Sequence, residues 1–198
     1  MEGLKLSLKD SELVHRIKNK DKEAFVVLFD KYKGRIVRFL YGFFGDYGKA
    51  EDATIETFLK VYKNIHNYEE RGSFQSWLFT IAANQGRLEI KRTKRRKEIS
   101  LDMPIENDDA ARLVDLIEDE KLRPDTDIVV DDLKDFIYRI LSEMKEKYAD
   151  IIRLCDIEKL SYEEASQVLN CSPFTVRTRL RRARVKLYKL AKKYKDAL

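Results

Sequence analysis

Eight apolar side chains, Phe25, Leu28, Phe29, Tyr32, Ile36, Phe39, Leu40 and Phe43, recur at three- and four-residue steps through "EAFVVLFDKYKGRIVRFLYGFF". That spacing lays one stripe along a helix of 3.6 residues per turn and does not fit the two-residue alternation of a strand. Gly34 is a candidate bend within it. With only three prolines and seven glycines in 198 residues, little interrupts the helical period elsewhere. "GDYG" (45–48) ends the first stripe. A second helix from about Lys49 turns Ile55, Phe58, Leu59, Tyr62 and Ile65 inward and carries Glu51, Asp52 and Glu56 on its other face. The loop "HNYEERGS" leads to a third, whose inward positions are Phe74, Trp77, Leu78, Ile81 and Leu88.

The period lapses from 98 to about 127, where Pro104, Pro124 and clustered acids (Asp108-Asp109, Glu118-Asp119-Glu120) read as a linker with a short helical turn near Ala110–Ile117. It resumes with Leu133, Phe136, Ile137, Ile140, Leu141 and Met144, then Tyr148, Ile151, Ile152 and Cys155. The expected architecture is all-α: two small helical bundles, 8–97 and 128–198, joined by a flexible acidic linker, 98–127. Forty Lys and Arg against 35 Asp and Glu give a net charge of +5. The excess sits in the two bundles, on either side of a connector that DNA would repel, and points to a polyanionic partner.

The strongest local grammar is "LSYEEASQVLNCSPFTVRTRLRRARVKLYKLAKKY" (160–194). Ser161 with Glu164 forms a capping box that starts a short helix. Asn170 can adopt the left-handed conformation that ends it. Ser172 offers a second N-cap, and Pro173 takes the first helical position, where a missing N–H is harmless. Val176, Leu180, Ala183, Leu187 and Leu190 then make a narrow buried seam, with Arg177, Arg181, Arg182, Arg184 and Lys186 off it. Two helices across a three-residue turn make a helix-turn-helix. Thr175, Arg177, Thr178 and Arg181 would face a major groove, where arginine pairs with guanine, while arginines such as Arg182 would hold phosphates.

A second stretch, "RGSFQSWLFTIAANQGRLEIKRTKRRK" (71–97), passes from aromatic residues to a basic run. Trp77, Leu78 and Ile81 read as core. Arg71, Ser73 and Asn84 read as exposed, and Phe74, inward by its helical spacing, is also counted with this exposed part.

In order and spacing, "DKEAFVVLFDKYKGRIVRFL", "AEDATIETFLKVYKNI", "GSFQSWLFTIAANQGRLEIKRTKRR" and the helix-turn-helix resemble the extracytoplasmic-function (ECF) sigma factors, the small two-domain class of bacterial RNA polymerase specificity subunits. The resemblance covers nearly the whole chain except the linker. It implies that Glu51, Asp52, Glu56 and Thr57 dock on the clamp helices of core RNA polymerase. It also implies that a base of the melted non-template strand is flipped into a pocket near Arg71, Ser73, Phe74 and Asn84. Arg87, Lys91, Arg92, Arg95 and Arg96 would then grip phosphates, with binding that falls steeply as salt rises. The helix-turn-helix would read the distal promoter element as duplex DNA through Ser172, Phe174, Thr175, Arg177, Thr178, Arg181 and Arg182. An anti-sigma factor is the expected negative regulator.

Three segments depart from the family's usual pattern. "NQGRLEIKR" (84–92) carries Gly86, Arg87 and Leu88 where Ala, an apolar residue and Asp are customary; Ile55 replaces a frequent Gln; Phe174 replaces a glycine. The alternatives are a helix-turn-helix regulator that works without polymerase core, and a sigma-like decoy or co-sigma. The first leaves the acidic face of 51–56 and the 71–97 surface without a use.

Other classes find no support. Cys155 and Cys171 lie sixteen positions apart and His15 and His66 are isolated, so neither a metal nor a cofactor is expected. No catalytic carboxylate pair, triad or glycine-rich phosphate loop appears. The start "MEGLKLSLKD" has no apolar leader and no span-length apolar run follows, which suits a cytoplasmic protein with no direct membrane insertion.

Overall fold

The computed structural model describes residues 8–69, 72–98 and 132–195. The linker expected over 98–127 lies outside them, apart from Glu98, which closes a helix. Among the described residues every regular element is helical. The N-terminal module holds α1 (Asp10–Lys18), α2 (Lys22–Phe44), α3 (Tyr47–Asn64), a 3₁₀ turn (Ile65–Asn67) and α4 (Phe74–Glu98). The C-terminal module holds α5 (Asp132–Glu143), α6 (Glu146–Ile152), a π turn (Arg153–Ile157), α7 (Tyr162–Leu169) and α8 (Pro173–Lys195).

The apolar stripe of α2 makes the first core. Phe25, Leu28, Phe29, Ile36, Phe39 and Leu40 are almost wholly buried. Phe29 meets Phe58 of α3 edge-on at 4.8 Å between ring centroids, and Phe39 meets Phe79 of α4 at 5.1 Å. A buried ring of this kind contributes about 1.5–3 kcal/mol through area removed from water. Asp21 caps α2 by accepting from the Ala24 N–H, and Asp46 caps α3 by accepting from the Lys49 N–H. Helix α2 runs unbroken through Gly34 and stops at Gly45, whose φ of 62° is left-handed.

Gly86, the odd residue of "NQGRLEI", is explained by packing. A Cβ there would lie 3.0 Å from the Phe43 ring, so its absence lets α4 close onto α2. Leu88, expected inside, is 38% exposed, because four- and three-residue steps set it on the half-open row of Trp77, Ile81 and Asn84 rather than on the buried row of Leu78 and Ala82.

The helix-turn-helix forms as its sequence indicates. Ser161 and Glu164 exchange both bonds of the capping box. Asn170 takes φ 46°. The Ser172 hydroxyl accepts from the Thr175 N–H at the start of α8. Val176, Leu180 and Ala183 are buried, whereas Leu187 and Leu190, further along, are half-buried.

The π turn after α6 inserts one extra residue into the helical winding, with the Glu158 N–H bonding back to the Arg153 carbonyl at 2.9 Å. The resulting change of phase aims Arg153 and Glu158 at α2. The two modules are therefore in contact, α4 against α7 and α2 against α5 and the π turn.

Candidate nucleic-acid interface

Helix α4 divides its circumference three ways. Phe74, Leu78, Phe79 and Ala82 face the core, buried to 4% exposure or less. Trp77, Ile81 and Asn84 line an open cavity of about 420 Å³, closed on the other side by Lys60 and Asn64 of α3 and Asn67 of the 3₁₀ turn. Ser73 and Arg87 face the C-terminal module.

Phe74 is inward, as its helical spacing indicates, and its second reading as part of an exposed wall is the first correction. Its ring lies among Tyr32, Tyr68 and Trp77 at centroid distances of 5.8, 5.7 and 5.7 Å, so it is core rather than an exposed wall. As the opening residue of α4 it points back at α2, where the apolar stripe receives it. Trp77, expected in the core, is instead half-buried and gives the cavity an aromatic side. Asn84 is exposed, as expected. Arg71 lies outside the described residues, and so does the side chain of Arg95; Lys91 and Arg92 are exposed.

Lys60, Asn64 and Asn67 were not singled out from sequence. Their only local signal is polarity at four- and three-residue steps along the outer side of α3. The buried Gln85 amide oxygen accepts from the Lys60 ammonium, and Asn64 donates to the Lys60 carbonyl at 2.8 Å. A flat indole, three amides and an ammonium suit a planar polar ring with an anionic group beside it.

Arg87 is the second correction. It is not available to a phosphate in this arrangement. Its Nε donates to Glu146 at 2.8 Å and its Nη2 to Asp150 at 2.7 Å, which raises its pKa against the opposing effect of burial. Ser73 is likewise engaged, donating to Glu164 at 2.8 Å while accepting from the Ser76 N–H.

On α3, Asp52 is exposed and Glu51 and Glu56 are half-buried, a continuous acidic edge. Thr57 does not belong to it: it is wholly buried and its hydroxyl donates to the Ala53 carbonyl at 2.7 Å. Thr57 falls on the same inward face as Thr54 and Phe58, which places it against α2.

In the C-terminal module Arg177, Arg181 and Arg182 stand out from α8, with Thr175 and Thr178 half-exposed beside them. Phe174 is 77% exposed at the head of the helix, and Ser172 is exposed at its cap. A shallow cavity of about 280 Å³ between α6 and α8 is lined by Lys147, Tyr148, Phe174, Thr175, Thr178, Arg179 and Arg182. A projecting helix with polar groups and arginines at its start has the dimensions of a major-groove reader.

An all-helical pair of modules, one with a helix-turn-helix and one with a polar aromatic cavity on the helix that bears an acidic edge, defines the class of helical DNA-binding proteins. The Sigma-70 region 2 family matches residues 28–96, and Sigma-70, region 4 matches residues 137–187. The chain is 30% identical over 177 residues to the ECF RNA polymerase sigma factor SigW of Bacillus subtilis, covering 89% of this chain and 93% of that protein. It is 29% identical to the RNA polymerase sigma-H factor of Pseudomonas aeruginosa over 88% of this chain and 90% of that one. In fold it is similar to CnrH, solved in complex with the cytosolic domain of CnrY, with a TM-score of 0.66 at 22% identity over 93% of this chain and 97% of that chain. A second similar fold is the sigma factor RpoE of Bartonella quintana, solved with the anti-sigma factor NepR, with a TM-score of 0.55 at 20% identity over 79% and 89% of the two chains. The chain belongs to the ECF family of RNA polymerase sigma factors, and directs transcription initiation. Among its described residues no helix is long and apolar enough to cross a membrane.

Proposed function

We propose that the two modules divide promoter recognition between opened and unopened DNA, with core RNA polymerase as the shared partner. The acidic edge of α3, Glu51, Asp52 and Glu56, docks on the polymerase. The cavity lined by Lys60, Asn64, Trp77 and Asn84 takes a base displaced from the duplex. An unpaired base offers its faces and edges, which a stacked pair conceals, so the cavity favours strand separation by binding its product. Lys91, Arg92 and Arg95 beyond it hold phosphates, making the complex weaken as salt rises. Helix α8 reads the distal element as duplex through Thr175, Arg177, Thr178 and Arg181, with Phe174 against an apolar base edge and Arg182 on the backbone. The chain acts in the cytoplasm and carries no catalysis of its own. Its regulator is an anti-sigma factor, by likeness to the folds solved with such partners.

The observation that carries this reading is the cavity between α3 and α4, which combines an indole side with three amides and an ammonium. Run-off transcription with purified core polymerase on a promoter library tests it. Start sites that shift only when the chain is added support the reading; an unchanged start-site pattern rejects it.

A further inference from the structure

The walls of the α3–α4 cavity are set by short pieces of chain. Asn67 closes a three-residue 3₁₀ turn, and Trp77 lies one turn into α4. A 3₁₀ turn this short has poor hydrogen-bond geometry and does not hold its place unaided. Tyr68, the next residue, ties it down. Its N–H donates to the Ile65 carbonyl at 3.2 Å, and its hydroxyl donates to the Gly72 carbonyl, just before α4, at 3.0 Å. Its ring packs 5.0 Å from the Trp77 indole and 5.7 Å from the Phe74 ring.

The carbonyl of Tyr68 is met from α1. Lys18, in the last turn of that helix, donates its ammonium there at 2.7 Å across fifty residues of sequence. The same ammonium lies 5.9 Å from the centre of the Tyr68 ring. An ammonium is compact and strongly hydrated, and a lysine that serves only solubility keeps its head in water. Here the head turns to a residue only 6% exposed, where a charged donor on the carbonyl makes a stronger bond than a neutral one would. Lys18 is half-buried and does not itself line the cavity.

We propose that Lys18 is a positioning residue for the displaced base: by holding the Tyr68 carbonyl it fixes Asn67 on one side of the cavity and the Trp77 indole on the other before DNA arrives. The inference rests on the functional reading above and deepens it. An indole already aimed loses less freedom when a base stacks on it, so the gain appears as affinity for opened DNA and not for duplex. Lys18 thus acts on strand discrimination from outside the site.

Trp77 is the one tryptophan of the chain, so its emission reports on the cavity in the full-length protein. Lys18→Met keeps the aliphatic stem and removes the donor, whereas Lys18→Arg keeps both charge and donor. Lys31→Met is the control. Lys31 also ties down α1, donating to the Leu8 carbonyl at 3.1 Å and to Asp10 at 2.8 Å, but at the opposite end of that helix. Acrylamide quenching reads the indole, and fluorescence anisotropy in the presence of core polymerase reads DNA affinity.

The expected result for Lys18→Met is stronger quenching of Trp77, a several-fold loss of affinity for a pre-melted promoter fragment, and unchanged affinity for a duplex distal element. Lys18→Arg should restore the first two, and Lys31→Met should leave all three as in the wild type. Lys18→Gln, a neutral donor on a shorter stem, should fall between, and it replaces Lys18→Met if circular dichroism shows that variant unfolded. Unchanged quenching overturns the positioning. A quenching change without loss on the pre-melted fragment overturns the role in recognition. An equal loss on duplex, or the same loss in Lys31→Met, makes Lys18 structural and overturns it as well. If the wild type does not prefer the pre-melted fragment, the functional reading fails and the inference with it, while altered quenching in Lys18→Met still marks the tie to the indole.

Discussion

Arg87 on α4 and Asp150 on α6, 63 residues apart in sequence, are joined by an Nη2–Oδ2 contact of 2.7 Å with the carboxylate side chain only 3% exposed. The pair has an asymmetric consequence. Arg87→Ala leaves Asp150 with Arg153 as its remaining partner in a site with little water, and should destabilise the chain by about 1–3 kcal/mol. Arg87→Lys, which keeps the charge but loses the fork, should fall between. Urea denaturation of the three proteins measures the order; an Arg87→Ala midpoint equal to wild type contradicts the pairing.

Docking should depend on the acidic edge of α3 and not on its neighbour Thr57. Glu56→Arg is expected to abolish co-purification with core polymerase while circular dichroism stays unchanged. Thr57→Arg should instead unfold the module, because its hydroxyl sits among core side chains with no exposure. A folded Thr57→Arg variant that merely loses polymerase would reverse this assignment.

Within the α3–α4 cavity, the amide of Asn84 is the cleanest probe because it is exposed and contributes little to the core. Asn84→Ala should leave thermal stability within about 0.5 kcal/mol. Trp77→Ala should weaken binding to a pre-melted promoter fragment by about 1–3 kcal/mol if a base stacks on the indole. Fluorescence anisotropy with melted and duplex fragments separates the outcomes. Equal losses on both fragments would mean that the cavity does not distinguish them.

Helix α8 carries a specificity test. Arg177→Ala should relax preference at one base position by about 1–3 kcal/mol if the guanidinium makes a bidentate contact. A uniform loss over all sequences would make it a phosphate contact. Phe174→Ala, at a side chain 77% exposed, should leave stability untouched and alter selection at a neighbouring position. Binding to a randomised duplex library resolves both.

The Cys155 thiol is pushed up to about 11, chiefly by burial and secondarily by the Asp156 carboxylate. Its ordinary value is 9.0. The unfolded chain therefore releases this proton first, so the contribution to stability is complete below pH 9 and is lost as pH rises towards 11. Comparing denaturation midpoints of wild type and Cys155→Ala from pH 7 to 11 should show wild type losing ground only above pH 9. Alkylation of Cys155 should stay slow at pH 8 for the same reason. A pH-independent difference between the two proteins would remove the effect.

Much of the fold is legible along the chain because its signals are local. The capping box of Ser161 and Glu164, the left-handed Asn170 and the cap at Ser172 each involve residues within three or four positions, and each forms as its sequence indicates. The stripe of α2 is equally local, since helical geometry alone brings Phe25, Phe29 and Ile36 to one side.

Faces that depend on a partner were not legible. Resemblance alone sets Thr57 with the acidic edge, and Phe74 counts with the exposed part although its spacing sets it inward; both are buried in the core between α2 and its neighbours. Arg87 and Gly86 read as anomalies of a single helix. Arg87 answers carboxylates in the other module and Gly86 answers the Phe43 ring on α2. The sequence by itself determined the helices, their caps and the helix-turn-helix, because turn geometry and 3.6-residue periodicity are settled among near neighbours. Only the tertiary structure decided which cations stand open and which are already spent, because an ion pair forms between whatever groups folding brings together, however far apart they lie in the chain.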